Sequence, residues 1–289
     1  MAKTFYYVHT GHRVGLDRFR RAAAVIKCFK EEEITLLTSD YRIASVAREY
    51  GIDRCVGIDV VRNIANIAQR GDRLIFDSKE ANPIMLEDMR NYFSSFVRIC
   101  DEREFLKAKK ECIISPYNES DNICKAIVVD ESYFGDFPKS VPMSFFFGDD
   151  DYEKDLAKHL DFIEGLEVHM QLGFYYFVDY ETMLKEKFPN FFEFDEYSEM
   201  IRSTDILITA SPQAVLESLA SGGRPIYFQR EDYPQDLVEL FRELGVPVVF
   251  NYDKQALLET LRSISYDNYK KIDKNCYKIA PFIRKCFNL

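Results

Sequence analysis

At 289 residues, with 47% hydrophobic and 30% charged side chains, the chain is large enough to bury a full core and has the balance of a soluble globular protein. Its net charge of −10 argues against a nucleic-acid backbone as the main partner, and no apolar run reaches the length of a membrane span. Seven scattered cysteines without a Cys-x-x-Cys pair, and a strand that starts within a few residues of the N-terminus, predict reduced thiols in a cytoplasmic protein.

Short apolar strands alternate with amphipathic helices from the start. Phe5 to Val8 reads as a strand ending at His9, followed by the loop His9-Thr-Gly-His-Arg-Val-Gly15 and a helix from Leu16 to Phe29. Strands follow at Ile34–Leu37, Cys55–Ile58, Leu74–Phe76 and Phe96–Cys100, with helices over Tyr41–Tyr50, Val60–Gln69 and, from Asn82-Pro83, to Tyr92. Ile113-Ile114 and Ala126–Val129 read as further strands. Such alternation implies a parallel sheet covered on both faces, with ligands bound beyond the carboxyl ends of its strands. His9, Asp77 and Asp101 fall at such ends.

Residues 131–142 hold two prolines and a glycine without helical period, which marks a linker. The second half restarts at Met143. Helices are expected over Asp151–Glu164, Tyr175–Lys187 and Asp195–Arg202, and strands over Val168–Leu172 and Phe191–Phe194. After Asp205–Gln235, a helix over Leu237–Leu244, a strand over Val246–Phe250 and a helix over Lys254–Ile264 are expected. A last helix over Tyr266–Cys286 has Tyr266, Tyr269, Ile272, Cys276, Ile279, Ile283 and Phe287 at helical spacing. The expectation is α/β: two doubly wound, Rossmann-like domains facing across a cleft. Residues 1–130 would form the N-terminal domain, 131–142 the linker and 143–265 the second domain. Residues 266–289 would pack back across the interdomain face.

The most informative stretch is Asp205–Gln235. A strand over Ile206–Thr209 leads to Ser211, which fits an N-cap, with Pro212 at the first helical position. Gly222-Gly223 stops the helix, and Pro225–Phe228 reads as the next strand. The helix N-terminus carries unpaired N–H groups and partial positive charge, so it can receive a phosphate. Glu217, further along the helix, is either a solvated glutamate or an acceptor for ribose hydroxyls.

This stretch resembles the C-terminal nucleotide-sugar motif of GT-B-fold proteins. It is similar to the UDP-N-acetylglucosamine transferase of lipid II synthesis and to the UDP-diacetamido-trideoxy-altropyranose hydrolase of the pseudaminic acid pathway. The resemblance implies that Glu217 holds a ribose, with Ser211, Gln213 and Gly148 also at the nucleotide. It further implies that Gln229, Asp232 and Gln235, within Phe228-Gln-Arg-Glu-Asp-Tyr-Pro-Gln235, face the sugar.

The hydrolase family opens with an Asp-rich loop and a Gly-x-Gly-His-x-x-Arg signature. Aligned with it, Val14–Arg21 keeps Gly15 and Arg21, puts Asp17 at the second glycine and Arg18 at the catalytic histidine, and turns the early aspartate into His9. An arginine cannot serve as a base near neutral pH. His12 in the same loop is the candidate base, with Asp77 and Asp101 orienting its ring or a water, and Arg18 and Arg21 as anion contacts. The alternative for His9 and His12 is that of loop histidines in a polar crevice. Gly148-Asp-Asp-Asp151 replaces the relatives' Gly-Gly turn; a helix cap is preferred there over a Mg²⁺ site, and no other cofactor is implied.

The first expected function is therefore an enzyme on a UDP-linked sugar, hydrolase or transferase, in surface or flagellar glycan biosynthesis. The alternative is a non-catalytic protein of the same fold that binds a nucleotide sugar or a partner enzyme of that pathway.

Overall fold

The computed structural model describes residues 2–29, 32–80, 82–105 and 111–289. They form two compact units. The first comprises Met1–Gly11, Arg18–Glu131 and Lys274–Leu289, and the second His12–Asp17 and Ser132–Asp273.

In the first unit, strands β1 (Thr4–Val8), β2 (Ile34–Thr38), β3 (Cys55–Gly57), β4 (Arg73–Asp77), β5 (Ser95–Ile99), β6 (Cys112–Ser115) and β7 (Ile123–Lys125) make one parallel sheet in the order 3-2-1-4-5-6-7. Tyr6 pairs with Leu36 on one side and Ile75 on the other, so β1 and β4 meet where the winding reverses. Helices α1 (Asp17–Lys27), α2 (Tyr41–Val46), α3 (Ile64–Ile67) and α4 (Pro83–Tyr92) connect the strands. The central strands β1, β2 and β4 are buried along nearly their whole length; Phe5, Tyr7, Leu74, Phe76 and Phe96 are in one core cluster.

The second unit repeats the scheme with β8 (Val141–Phe146), β9 (His169–Gln171), β10 (Phe191–Phe192), β11 (Thr204–Thr209), β12 (Arg224–Gln229) and β13 (Val248–Phe250), in the order 10-9-8-11-12-13. Here the winding reverses between β8 and β11, where Ile208 pairs with Phe145. Its helices are α5 (Asp155–Lys158), α6 (Val178–Lys187), α7 (Tyr197–Ser203), α8 (Pro212–Ala220), α9 (Val238–Glu243) and α10 (Lys254–Ser263). Phe145, Phe147, Phe162 and Phe228 form the centre of the core, with Phe145 stacked on Phe228 at 5.7 Å between ring centroids. A last helix, α11 (Cys276–Phe287), belongs to the first unit and packs on β5 and β7. No helix among the described residues is long and apolar enough to cross a membrane.

Four expectations are corrected. The helix expected over Asp151–Glu164 shrinks to α5 and a 3-10 turn at Leu160–Phe162. Lys154 has a left-handed backbone (φ 55°), and the Asp151 carboxylate takes the amides of Asp155 and Leu156, which starts the helix late. The strand expected over Ala126–Val129 is instead β7, three residues earlier. The Ile127 carbonyl accepts from the Asn275 side chain instead of a strand partner. The single helix over Tyr266–Cys286 is broken, because the Lys270 N–H bonds the Leu244 carbonyl and holds that segment out of a helix. Its apolar stripe therefore divides, Tyr266 and Tyr269 going to the second unit and Ile279, Ile283 and Phe287 to the first.

The fourth correction concerns the cysteines. Cys28 is bonded to Cys276 and Cys112 to Cys286, leaving Cys55, Cys100 and Cys124 free. Both ends of α11 are covalently fixed to the first unit. All seven cysteines lie in that unit.

Candidate functional site

In the first unit, β4 ends at Asp77 and β5 is followed at once by Cys100-Asp101. Arg21, on the buried face of α1, meets both carboxylates. Its Nε and one terminal nitrogen donate to Asp77 at 2.9 and 2.6 Å, and the other terminal nitrogen donates to Asp101 at 2.5 Å. Arg18 approaches Asp77 at 3.5 Å, and the Tyr6 hydroxyl donates to it at 3.2 Å. Burial alone would raise the Asp101 pKa, but the charge and hydrogen bonds of Arg21 outweigh it and hold that carboxyl below its ordinary range. The structure thus brings together Arg18, Arg21, Asp77 and Asp101. His9, one residue beyond β1, has a buried Nδ1 with no hydrogen-bond partner, and burial lowers its pKa.

In the second unit, Gly148 follows β8 and Ser211 follows β11, on either side of the point where the winding reverses. Gly148 needs its φ of 130°, and a Cβ there would sit 2.8 Å from Asp150 Oδ1. Ser211 caps α8 as its sequence predicts: its Oγ accepts from the Ala214 amide at 3.1 Å, with Pro212 in the first turn. The same Oγ donates to Asp17 Oδ1 at 2.6 Å, and the Gln213 amide donates to Asp17 Oδ2 at 3.3 Å. The carboxylate of Asp17, the first residue of α1, therefore lies on the α8 N-terminus.

Glu217 is 1% exposed. One oxygen accepts from the Tyr197 hydroxyl at 2.6 Å and the other from Gln213 Nε2 at 3.0 Å. The reading of a solvated glutamate is thus corrected, since the α8 helix turns this residue inward.

The three aspartates after Gly148 have separate attachments. Asp149 accepts from the Phe174 amide at 3.1 Å, Asp150 from Arg230 at 3.0 Å, and Asp151 from the α5 amides and Tyr180. No group of three or more His, Cys, Asp or Glu among the described residues is placed to hold a metal ion. Burial drives the Asp150 carboxyl up, Arg230 opposes it, Asp17 and Asp149 reinforce it, and the result is about 6. Arg230 also forks onto Asp232 at 2.9 and 2.6 Å and lies over the rings of Phe147 and Tyr233. Gln229 turns its amide nitrogen to the carbonyls of Arg230 and Tyr233, while its buried Oε1 has no partner. Gln235 is exposed.

The loop residues His12–Asp17 belong to this unit. Gly15 (φ 78°) lets the backbone pass Asp150 and the Tyr233 hydroxyl, each 3.6 Å from where a Cβ would stand. His12 is exposed and packs on Tyr152 at 4.5 Å between ring centroids. Arg13 bonds Glu153 at 2.7 Å and lies over the same tyrosine.

No protein-family model matches the chain, and no curated protein matches it. Solved structures do. The Methanocaldococcus jannaschii UDP-GlcNAc 2-epimerase, in complex with UDP-GlcNAc and UDP, superposes with a TM-score of 0.62 at 10% identity, covering 100% of both chains. Acinetobacter baumannii MurG gives 0.55 at 11% identity, over 98% of this chain and 99% of its own. The spinosyn rhamnosyltransferase SpnG, complexed with thymidine diphosphate, gives 0.54 at 9%, over 98% and 96%. The fold is GT-B. At these identities the likeness concerns the fold and leaves the chemistry of this GT-B chain to its own residues.

Sequence reasoning missed three contributors in the second unit. Asp17 carried a signal, an acid in place of a glycine, but nothing local gave its destination. Arg230 lies inside the quoted Phe228–Gln235 run, yet its link to Asp150 joins residues 80 positions apart. Tyr197 had no signal beyond its place on a predicted helix.

Proposed function

We propose that this chain is a nucleotide-sugar enzyme, taking a UDP-linked sugar with its diphosphate at the α8 N-terminus. The observation that carries this reading is the carboxylate of Asp17 on Ser211 and Gln213. A helix N-terminus with a side-chain hydroxyl and a backbone amide converging on one anion is the donor set a phosphate needs, and the carboxylate stands in for it. Glu217 is the acceptor for the ribose. Gln229, Asp232 and Gln235 contact the sugar, and Gly148 gives the backbone room to approach. The reaction is hydrolysis or transfer of the sugar, within surface or flagellar glycan assembly, alongside a partner enzyme of that pathway. His12 is the proposed base and Arg18 an anion contact, as in a protein related to the pseudaminic-pathway hydrolase.

The nucleotide-sugar supply of such a pathway places the protein in the cytoplasm. There the reducing pool would oppose the Cys28–Cys276 and Cys112–Cys286 bonds.

One observation favours the non-catalytic alternative: Asp77 and Asp101 are committed to Arg21, which leaves them poorly suited to orient a base. The decisive experiment is a thermal-shift screen against UDP, CMP, GDP and their sugars, followed by turnover assays with wild type and His12→Asn. A UDP-sugar that binds and turns over supports the enzyme. Equal turnover by His12→Asn removes His12 as the base, and binding without any turnover selects the alternative. Stabilisation by none of the nucleotides rejects both.

A further inference from the structure

The α8 N-terminus has its side-chain cap without Asp17. Ser211 Oγ accepts from the Ala214 amide, which is the ordinary capping bond. Asp17 adds to this a whole negative charge, placed on the Ser211 hydroxyl and the Gln213 amide. The carboxylate thus takes the one amide that the Ser211 cap leaves over, which is where an anion would bind. Its surroundings make the contact electrostatically costly: the negative charge of Asp17 is among the causes that raise the pKa of buried Asp150. A chain selected for stability alone has no reason to bring these two acids together.

The segment carrying Asp17 is held independently of that carboxylate. Leu16 is 1% exposed, Gly15 packs beside Asp150 and Tyr233, and Arg13 reaches Glu153 and Tyr152. The segment therefore has anchors of its own besides the Asp17 carboxylate.

We infer that Asp17 is a built-in competitor: its carboxylate occupies the phosphate position on α8, and a nucleoside diphosphate binds only by displacing it. This rests on the proposed nucleotide-sugar reading and adds its regulation. The intramolecular acid is always present, so it sets a threshold. Every ligand that needs the helix end loses affinity by the same factor, so inorganic phosphate, with the fewest contacts, falls below useful affinity before a nucleotide sugar that also engages Glu217 and the residues after β12. Affinity is discounted by the fraction of molecules in which the helix end is free.

The test is calorimetric titration of the full chain with UDP and, separately, inorganic pyrophosphate, using wild type, Asp17→Ala and Asp17→Asn. The asparagine variant keeps the volume and removes the charge, and serves if the alanine variant folds poorly. Tightening of UDP and pyrophosphate binding by about tenfold or more in Asp17→Ala, with a smaller gain in Asp17→Asn, is expected. Equal affinities for UDP in all three proteins overturn the competitor and leave the nucleotide-sugar reading standing. Weaker UDP binding in the variants also overturns it, because Asp17 would then position the ligand. No UDP binding by any of the three rejects the underlying reading and the inference with it.

Discussion

Each unit has an aspartate facing an arginine near the carboxyl ends of its sheet, and the pKa values of Asp101 in the first and Asp150 in the second are shifted in opposite directions. In the first unit, Arg21 forks onto Asp77 and also meets Asp101, and the charge and hydrogen bonds overcome burial, so the Asp101 pKa is lowered. In the second, Arg230 divides itself between Asp150 and the more exposed Asp232, while Asp17 and Asp149 add negative charge nearby, so the Asp150 pKa rises to about 6. Residue types do not decide the outcome; the local count of acids per guanidinium and the solvent around them do. In the first arrangement one guanidinium holds both carboxylates. The second keeps an excess of negative charge beside a helix end that attracts anions, which is the poise expected of a place where a ligand exchanges with a side chain.

The largest expected effect lies in the first unit. Arg21→Ala leaves Asp77 buried without its main partner and should destabilise the protein by about 3–5 kcal/mol, read from chemical denaturation. A small effect would mean that Arg18 and Tyr6 suffice to hold Asp77, and the contrast between the units would weaken.

Next come the disulfides. With every cysteine in the first unit, reductant should lower the stability of that unit by about 2–4 kcal/mol per bond and leave the second unchanged. Hydrogen exchange with and without reductant resolves the two. Alkylation of the unfolded, unreduced chain should label three thiols, those of Cys55, Cys100 and Cys124. Seven labelled thiols would show the bonds unformed.

A comparable or smaller effect concerns Glu217→Gln, which should weaken nucleotide binding by about 1.5–3 kcal/mol through loss of a charge-assisted hydrogen bond. Tyr197 and Gln213 already hold that carboxylate, so the variant's own stability must be measured beside its affinity.

The smallest effect is the most diagnostic of the comparison. Asp150 binds its proton more tightly folded than unfolded, so stability falls as pH rises from about 4 to about 6 and then levels off. Asp101 has the opposite sign: its contribution is present above the unfolded-state value and is lost as pH falls below about 4. Asp150→Asn should flatten the first slope and Asp101→Asn the second, in unfolding free energies measured from pH 3 to 8. Variants that leave both slopes unchanged would show that other groups set the pH dependence.

The parts legible in the sequence were those whose cause is local. Apolar runs between turn residues located the strands of both sheets other than β7, and Ser211-Pro212 announced the start of α8 because a cap and a proline act within one turn. The Asn82-Pro83 start of α4 was equally local, and Asn82 accepts from the Met85 amide at 3.0 Å. Failures came where distant residues decide. Tyr266–Cys286 has a helical apolar period, yet Leu244 captures its backbone at Lys270. Cysteine spacing gave no hint that Cys28 and Cys276 meet, 248 positions apart. The site divides likewise. Ser211, Gln213 and Glu217 come from one helix and could be found by reading it, whereas Asp17, Asp150 and Arg230 converge only through the tertiary fold.

The return of Lys274–Leu289 to the first unit has a consequence for the order of events during synthesis. The chain leaves that unit after Glu131 and comes back only for its last sixteen residues, so the ribosome releases the whole second unit before the first can be finished. Until then β5 and β7 lack the helix that covers them, and Cys28 and Cys112 have no partners. The nascent chain should thus acquire a folded second unit while the first remains incomplete, with apolar surface open to chaperones.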